Sequence, residues 1–279
     1  MRQIVAIGSL KGAPGASTLA LALAAVWPVG GVRPVVVEAD AAGGDLAVRF
    51  GLSDMTGLLT LAAGARHGGP EADLGSCTQE AAGGLRVVVA PTGCDQALAS
   101  VAELAACPTI LRGDPGSEGI VLLDLGHLGA GPSRELAGLS DQLVLVAGGS
   151  ADALAHVAAR PKWLEGARVE LAVVGECRYT ESDIAQALEV GRDQIHALPW
   201  DPRAAAALSG VARVAERRWT RLPLAQAAFA LARQLAGADG DTGRGGLCGE
   251  LAQLSSRALA GARHSHPETV RTLETGGIR

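Results

Sequence analysis

Lysine is nearly missing from this chain. Of 24 basic residues in 279, only Lys11 and Lys162 are lysines, and the rest are arginines. Aromatic residues are equally scarce at 3%, so a sequence that is 48% apolar must fill its core with aliphatic side chains. Positive charge is in deficit too. The net charge of −5 excludes a molecule that as a whole attracts nucleic-acid phosphates or acidic lipid, although a local basic patch is compatible with it. The five cysteines, Cys77, Cys94, Cys107, Cys177 and Cys248, are an odd number at irregular spacing with no CxxC pair, which argues against a zinc site or a disulfide framework. The run LALALAAVWPV is too short to span a bilayer and reads as a core helix. The opening MRQIVAIGSLKG lacks the apolar region of a secretory leader. These absences predict a soluble, cytoplasmic protein.

What is present is a regular alternation of short β-branched runs with alanine- and leucine-rich stretches. That pattern predicts an α/β fold: a doubly wound, mostly parallel sheet with helices on both faces. Strands are predicted at 3–8, 33–39, 85–91, 119–125, 142–148, 168–175 and 195–200. Helices are predicted near 17–27, 45–51, 56–66, 95–106, 133–138, 151–163, 181–189, 202–209 and 222–236. The domain is expected to occupy residues 1–236. Residues 237–279 read as a Gly-rich connector, GADGDTGRGGLCG, then a modest helical stretch and a polar tail.

Between the first strand and the first helix lies LKGAPGAST, residues 10–18. A strand, a loop of small residues and a helix N-terminus form a context for binding an anion, because the first amides of the helix are unsatisfied and its dipole is positive there. Gly12 and Gly15 let the backbone wrap closely around a phosphate. The hydroxyl of Ser17 falls where Mg²⁺ would be ligated, and Thr18 could contact phosphates. The general P-loop pattern G-x-x-x-x-G-K-[ST] nevertheless fails at two positions: Leu10 replaces its first glycine and Ala16 its lysine. An ordinary tight βα turn is the alternative.

Lys11 tells against that alternative, since one of two lysines stands directly before Gly12. Here the sequence resembles the MinD/ParA family of deviant Walker A ATPases, whose loop runs K-G-G-x-G-K-[ST]-[ST]. The matching residues are Lys11, Gly12, Ala13, Pro14, Gly15, Ala16, Ser17 and Thr18. The resemblance implies that residues 12–18 cradle the phosphates of ATP or ADP, that Lys11 reaches across a homodimer to the partner's nucleotide, and that Ser17 ligates Mg²⁺. Ala13 replaces a glycine of the family pattern, and Ala16 replaces its in-cis lysine.

Further segments follow in the family's order. VVVEADAAGGD, residues 35–45, corresponds to a strand ending in D-x-D. Asp40 matches the aspartate that positions the attacking water, Glu38 replaces the first acid, and Gly43 and Gly44 would form a switch loop. Two alternatives remain for these acids. They could be buried or capping groups, or one could bind a ribose in a dinucleotide site, which places an acid about 20 residues after its glycines. No G-x-G-x-x-G can be drawn, however, and a dinucleotide site gives Lys11 and Ser17 no role. GIVLLDLGHLG, residues 119–129, has the form of a Walker B strand, with Asp124 steadying Mg²⁺ and Gly126 in a second switch. His127 reads as a polar loop residue. Near the adenine the family carries an N-R pair and an lPyDprA segment. Arg178, Pro199, Asp201 and Pro202 fit, Cys177 replaces the asparagine, and Trp200 packs near the base, in the core or on the surface.

Loss of the lysine at position 16 removes a charge-assisted phosphate contact, so hydrolysis is expected to be weak or absent while nucleotide affinity persists. The resemblance implies a nucleotide-responsive dimeric switch that positions or partitions a cellular cargo. The alternative is a non-hydrolysing scaffold of the same fold for a septum, pilus or secretion assembly. Two surfaces are weaker candidates. Arg213, Arg217, Arg218 and Arg221 could contact nucleic acid, and Leu251, Leu254, Ala258 and Leu259 share one face of a segment that could lie on a membrane. A solvated helix and a plain tail are the simpler readings of each.

Overall fold

A computed structural model of the chain describes residues 1–12, 14–27, 33–67, 73–159, 168–211 and 216–237. The β-branched runs form β1 (Gln3–Ser9), β2 (Val35–Glu38), β4 (Leu85–Val88), β5 (Ile120–His127), β6 (Gln142–Gly148), β7 (Val169–Val174) and β8 (Ile195–Leu198), with a short β3 (Gln79–Ala81) that the apolar pattern does not announce. They assemble into one sheet of order β3-β4-β2-β5-β1-β6-β7-β8, parallel throughout except for the antiparallel β3–β4 edge. This is the predicted doubly wound architecture.

Side chains alternate between the two faces, as strand geometry requires. On one face Val5, Ile7, Val36, Leu122, Val144 and Val146 meet α1 (Ala16–Val26), α2 (Leu46–Phe50), α9 (Pro202–Leu208) and α11 (Pro223–Leu235). On the other, Ile4, Ala6, Val37, Leu123 and Leu145 meet α3 (Leu58–His67), α4 (Cys94–Ala106), α6 (Pro132–Gly138), α7 (Ala151–Ala158) and α8 (Glu181–Leu188). Two one-turn helices, α5 (Thr109–Arg112) and α10 (Glu216–Trp219), complete the set. α1 is apolar around its whole circumference, and everything from Leu19 to Ala24 is buried. A helix of that composition is stable only in the interior. It lies centrally between the sheet and α11, so its N-terminus is held in a fixed place.

Polar side chains set the starts of α8 and α9. Thr180 and Asp183 form a reciprocal capping box at α8. Asp201 caps α9 ahead of Pro202 at the first helical position, the expected order for those two residue types. Four cysteines, Cys77, Cys94, Cys107 and Cys177, are free thiols, and Cys248 lies outside the described residues. So do Ala13, Lys162, Arg213 and the predicted tail from residue 238, including 250–263; the side chain of Arg217 is likewise not described. Arg218 and Arg221 are exposed. Among the described residues, no helix is long and apolar enough to cross a membrane.

Candidate functional site

β1 is the point where strand order reverses: β2 and β5 lie to one side of it and β6 to the other. In open parallel sheets, ligands bind at the carboxyl ends of the strands at such a point. The chain leaves β1 at Ser9 and enters α1 at Ala16. Gly15 is the N-cap residue, in the left-handed conformation (φ 98°, ψ 34°), which a residue with a Cβ adopts only at a cost. No side chain caps this helix and no acid occupies its first turn. Its leading amides are therefore left for an outside acceptor.

The loop is tied to the end of β5. Ser9 Oγ lies 3.1 Å from the Gly12 carbonyl oxygen and 3.4 Å from that of Gly126, and the Leu128 amide donates to Ser9 O at 2.8 Å. His127, read as a plain loop residue, is exposed but not idle. Its Nε2 lies 3.1 Å from Leu10 O, and because a carbonyl only accepts, that nitrogen carries the proton.

Three carboxylates converge behind the loop. Asp124 is 1% exposed, and its carboxyl is pushed up to about 7. Burial is the main cause, opposed by hydrogen bonds from the Ser17 hydroxyl and the Gly126 amide and reinforced by Glu38 and Asp40. Asp40 is half-buried and raised, again chiefly by burial; it accepts from the Ala42 amide at 2.8 Å and feels the charge of His127. Glu38 is the capping acid that the sequence left as one of the open readings. Its Oε1 accepts from the Asp45 and Leu46 amides at 2.7 and 3.0 Å, at the start of α2, and its Oε2 from the Ala90 amide at 2.8 Å. Burial still raises it. No salt bridge among the described residues neutralises any of the three.

This donor set fits Mg²⁺ delivered with a nucleotide better than a metal held by protein alone. Among the described residues, no group of three His, Cys, Asp or Glu side chains is arranged to hold an ion. Mg²⁺ is commonly bound through one or two carboxylates with phosphates and water supplying the rest. A buried Asp124 without an ion-pair partner among the described residues, hydrogen-bonded by the Ser17 hydroxyl, has the chemistry of one such carboxylate.

A cavity of about 220 Å³ opens beside the loop. Pro14, Gly15, Thr18 and Leu19 form one wall; the ends of β7 and β8, the segment Pro199–Pro202, Ala205 and Leu224 form the other. Of the residues predicted to bind phosphate, Lys11 and Gly12 are exposed, and Pro14, Gly15, Ser17 and Thr18 are half-buried. Ala16 is only 7% exposed and packs in the core. Of the predicted base-binding residues, Pro199 and Asp201 line the cavity. Arg178 is exposed and is not part of its wall. Asp201 already has backbone partners, the Ala204 amide at 3.0 Å and the Leu224 amide at 3.4 Å. Gly43 and Gly44, predicted as a switch, sit where a Cβ would come within 2.5 Å of Thr92 O and of Glu38 Oε2 respectively. Close packing is sufficient reason for glycine at both.

A glycine-turned loop thus feeds a central helix, with Ser17 facing Asp124 at the switch point of a doubly wound sheet. No family model matches the chain, and no curated protein matches it in sequence. Solved structures match it in shape. A ParA family ATPase from Chlorobium tepidum TLS matches with a TM-score of 0.65 at 16% identity, over 84% of this chain and 98% of that one. The septum site-determining protein MinD from Pyrococcus horikoshii OT3, complexed with Mg-ADP, matches with a TM-score of 0.66 at 17% identity, over 86% and 98%. A chain of the MinC:MinD cell division protein complex from Aquifex aeolicus gives 0.61 at 14%, over 87% and 98%. The fold is that of the MinD/ParA ATPases.

Proposed function

We propose that this protein is a MinD/ParA-like nucleotide-responsive dimeric switch that positions or partitions a cellular cargo and hydrolyses ATP weakly or not at all. The observation that carries the reading is the Ser17–Asp124 pair beneath an uncapped helix N-terminus. Amides of residues 12–18 hold the phosphates of ATP or ADP, and Ser17 and Asp124 hold Mg²⁺, which supplies charge neutralisation when bound. Asp40 orients a water, and Lys11, exposed on the loop, is free to reach a second copy of the chain. The segments around Gly43–Gly44 and Gly126 respond to the terminal phosphate. The same binding without turnover, on a scaffold that recruits an assembly partner, is favoured by one specific observation: Ala16 is buried in the core and presents no cation to the cradle.

A thermal-shift titration tests nucleotide binding, because a ligand specific to the folded state raises its apparent stability. Expected are a saturable rise with ATP and Mg²⁺, a smaller one with ATP in EDTA, and a larger dimer fraction by sedimentation in the first condition. No shift with any nucleotide refutes the reading. A shift without change in the dimer fraction leaves the scaffold reading in its place.

A further inference from the structure

We infer that His127 is a positioning residue for Lys11: it fastens the leading half of the phosphate loop to the second switch, so that the switch carries this lysine with it. The inference rests on the dimeric-switch reading above. The two halves of the loop are held by different elements. The trailing half belongs to α1, where the Gly15 carbonyl accepts from the Leu19 amide and Ala16 packs in the core. The leading half belongs to the end of β5. The Leu128 amide donates to Ser9 O at 2.8 Å, and the buried Ser9 hydroxyl reaches the carbonyls of Gly12 and Gly126. Leu128 also covers Gly8, where a Cβ would stand 2.7 Å from the leucine Cγ. Residues 8–12 and 126–128 are therefore fastened to each other, while the amides that open α1 are not part of that attachment.

One of these contacts stands directly beside the lysine. His127 Nε2 donates to the Leu10 carbonyl oxygen at 3.1 Å, across 117 residues of chain. The peptide unit between Leu10 and Lys11 is planar, so a bond that fixes this oxygen also fixes the direction of the Lys11 amide and the place of its Cα. Ser9 does not duplicate that contact. Its hydroxyl carries one proton for the Gly12 and Gly126 carbonyls, and neither belongs to the Leu10–Lys11 peptide. A lysine side chain is a flexible stem with a charge at its tip, and it reaches a target on a second copy efficiently only from a fixed origin. His127 follows Gly126 directly, so a displacement of that glycine by a terminal phosphate passes through the imidazole to Leu10 O and on to Lys11. The bond is exposed to solvent, which keeps it weak enough to break and re-form.

The scarcity of lysine supplies the test. Lys11 and Lys162 are the only two, so ¹⁵N-lysine labelling of the full chain gives one backbone amide signal for each. In nucleotide-free protein, His127→Ala is expected to shift or broaden the Lys11 signal and leave that of Lys162 in place. His127→Gln, which keeps an N–H donor, should restore it. With ATP and Mg²⁺, sedimentation should show His127→Ala weakening dimerisation about three- to tenfold, and having no further effect in a Lys11→Ala background. Nucleotide affinity, titrated where the parent is monomeric, should stay within about threefold of the parent, because the α1 half of the cradle is untouched. A Lys11 signal indifferent to His127→Ala overturns the inference. So does an equal loss of dimer with and without Lys11, or a loss of nucleotide affinity as large as the loss of dimer. A parent that neither binds nucleotide nor dimerises refutes the dimeric-switch reading instead, and the lysine signal alone then decides whether His127 holds Lys11.

Discussion

Asp40 leaves Gly126 no room for a side chain. A Cβ on Gly126 would stand 1.9 Å from Asp40 Oδ2 and 2.3 Å from its carboxyl carbon, and the glycine holds φ at +55°. The loop after β2 and the end of β5 therefore pack tightly here, beside the hydrogen bond from the Ala39 amide to Asp124 O at 2.8 Å, between the residue proposed to orient water and the residue proposed for the second switch. Gly126 also donates its amide to Asp124 at 3.2 Å and lies within 3.4 Å of Ser9 Oγ through its carbonyl. One residue links two carboxylates and the phosphate loop.

Gly126→Ala is expected to destabilise the fold by about 1–3 kcal/mol, combining left-handed backbone strain with a collision against Asp40. Urea denaturation measures it. Gly116→Ala, where a Cβ meets nothing within 4 Å and φ is not positive, serves as control. Adding Asp40→Ala should recover most of the collision component. Simple additivity of the two changes would show that the contact carries no energy.

Removing the Glu38 carboxylate strands three amides, those of Asp45, Leu46 and Ala90. Glu38→Ala should cost about 3 kcal/mol, because unpaired buried donors pay their full desolvation penalty. Glu38→Gln keeps one acceptor oxygen and should lose about half as much. Equal stability of Glu38→Ala and the parent in chemical denaturation would remove Glu38 from the list of structural caps.

Glu38 also marks the limit of what the sequence disclosed. The seven parallel strands and most of the longer helices were legible because each is a local pattern: β-branched runs for strands, alanine and leucine blocks for helices. β3, with sequence QEA, was not, since a three-residue polar edge strand carries no alternation to detect. α5 is a single turn after Pro108 and equally silent. The site divides in the same way. The loop at 10–18 and Asp124 could be placed from order and spacing. That Glu38 serves backbone amides from two other segments depends on contacts 7, 8 and 52 residues away, which no motif records. Asp201, read from the sequence as a base-binding residue, also caps α9 at the edge of the cavity, a role that Asp before Pro signals locally.

Stability should fall as pH rises toward neutrality in nucleotide-free, EDTA-treated protein. The Asp124 carboxyl is raised from an ordinary value of 3.8 to about 7, so the folded state holds this proton more tightly than the unfolded state. With more protons bound when folded, the derivative of unfolding free energy with pH is negative between those two values and levels off above the higher one. Glu38 and Asp40, raised for the same reason, add to the slope. Thermal melts across pH 5–8, the range about the folded value, should show Asp124→Asn flatter than the parent. A parent whose melting temperature rises over that window would contradict the burial of an uncompensated acid.

Ala16→Lys addresses the chemistry directly. Ala16 opens α1 at the residue after the left-handed Gly15, and its side chain is 7% exposed, so a lysine there must carry its stem along the loop to reach the cradle. Some stability will be lost, because a small buried residue is replaced by a long one. Against that, a charge-assisted phosphate contact is worth roughly 1.5–3 kcal/mol, or about 10- to 150-fold in nucleotide affinity. A preorganised cation also acts on charge that develops during phosphoryl transfer, where such groups commonly contribute on the order of 10²–10³ in rate. Tighter binding together with measurable phosphate release would mean that Asp40, Ser17 and Asp124 are still arranged for hydrolysis and only the cation is missing. Tighter binding with no release would place the defect in those acids or in the unmet contact from Lys11. Neither gain, in a variant that still folds, would mean that the turn around Gly15 no longer accepts a phosphate.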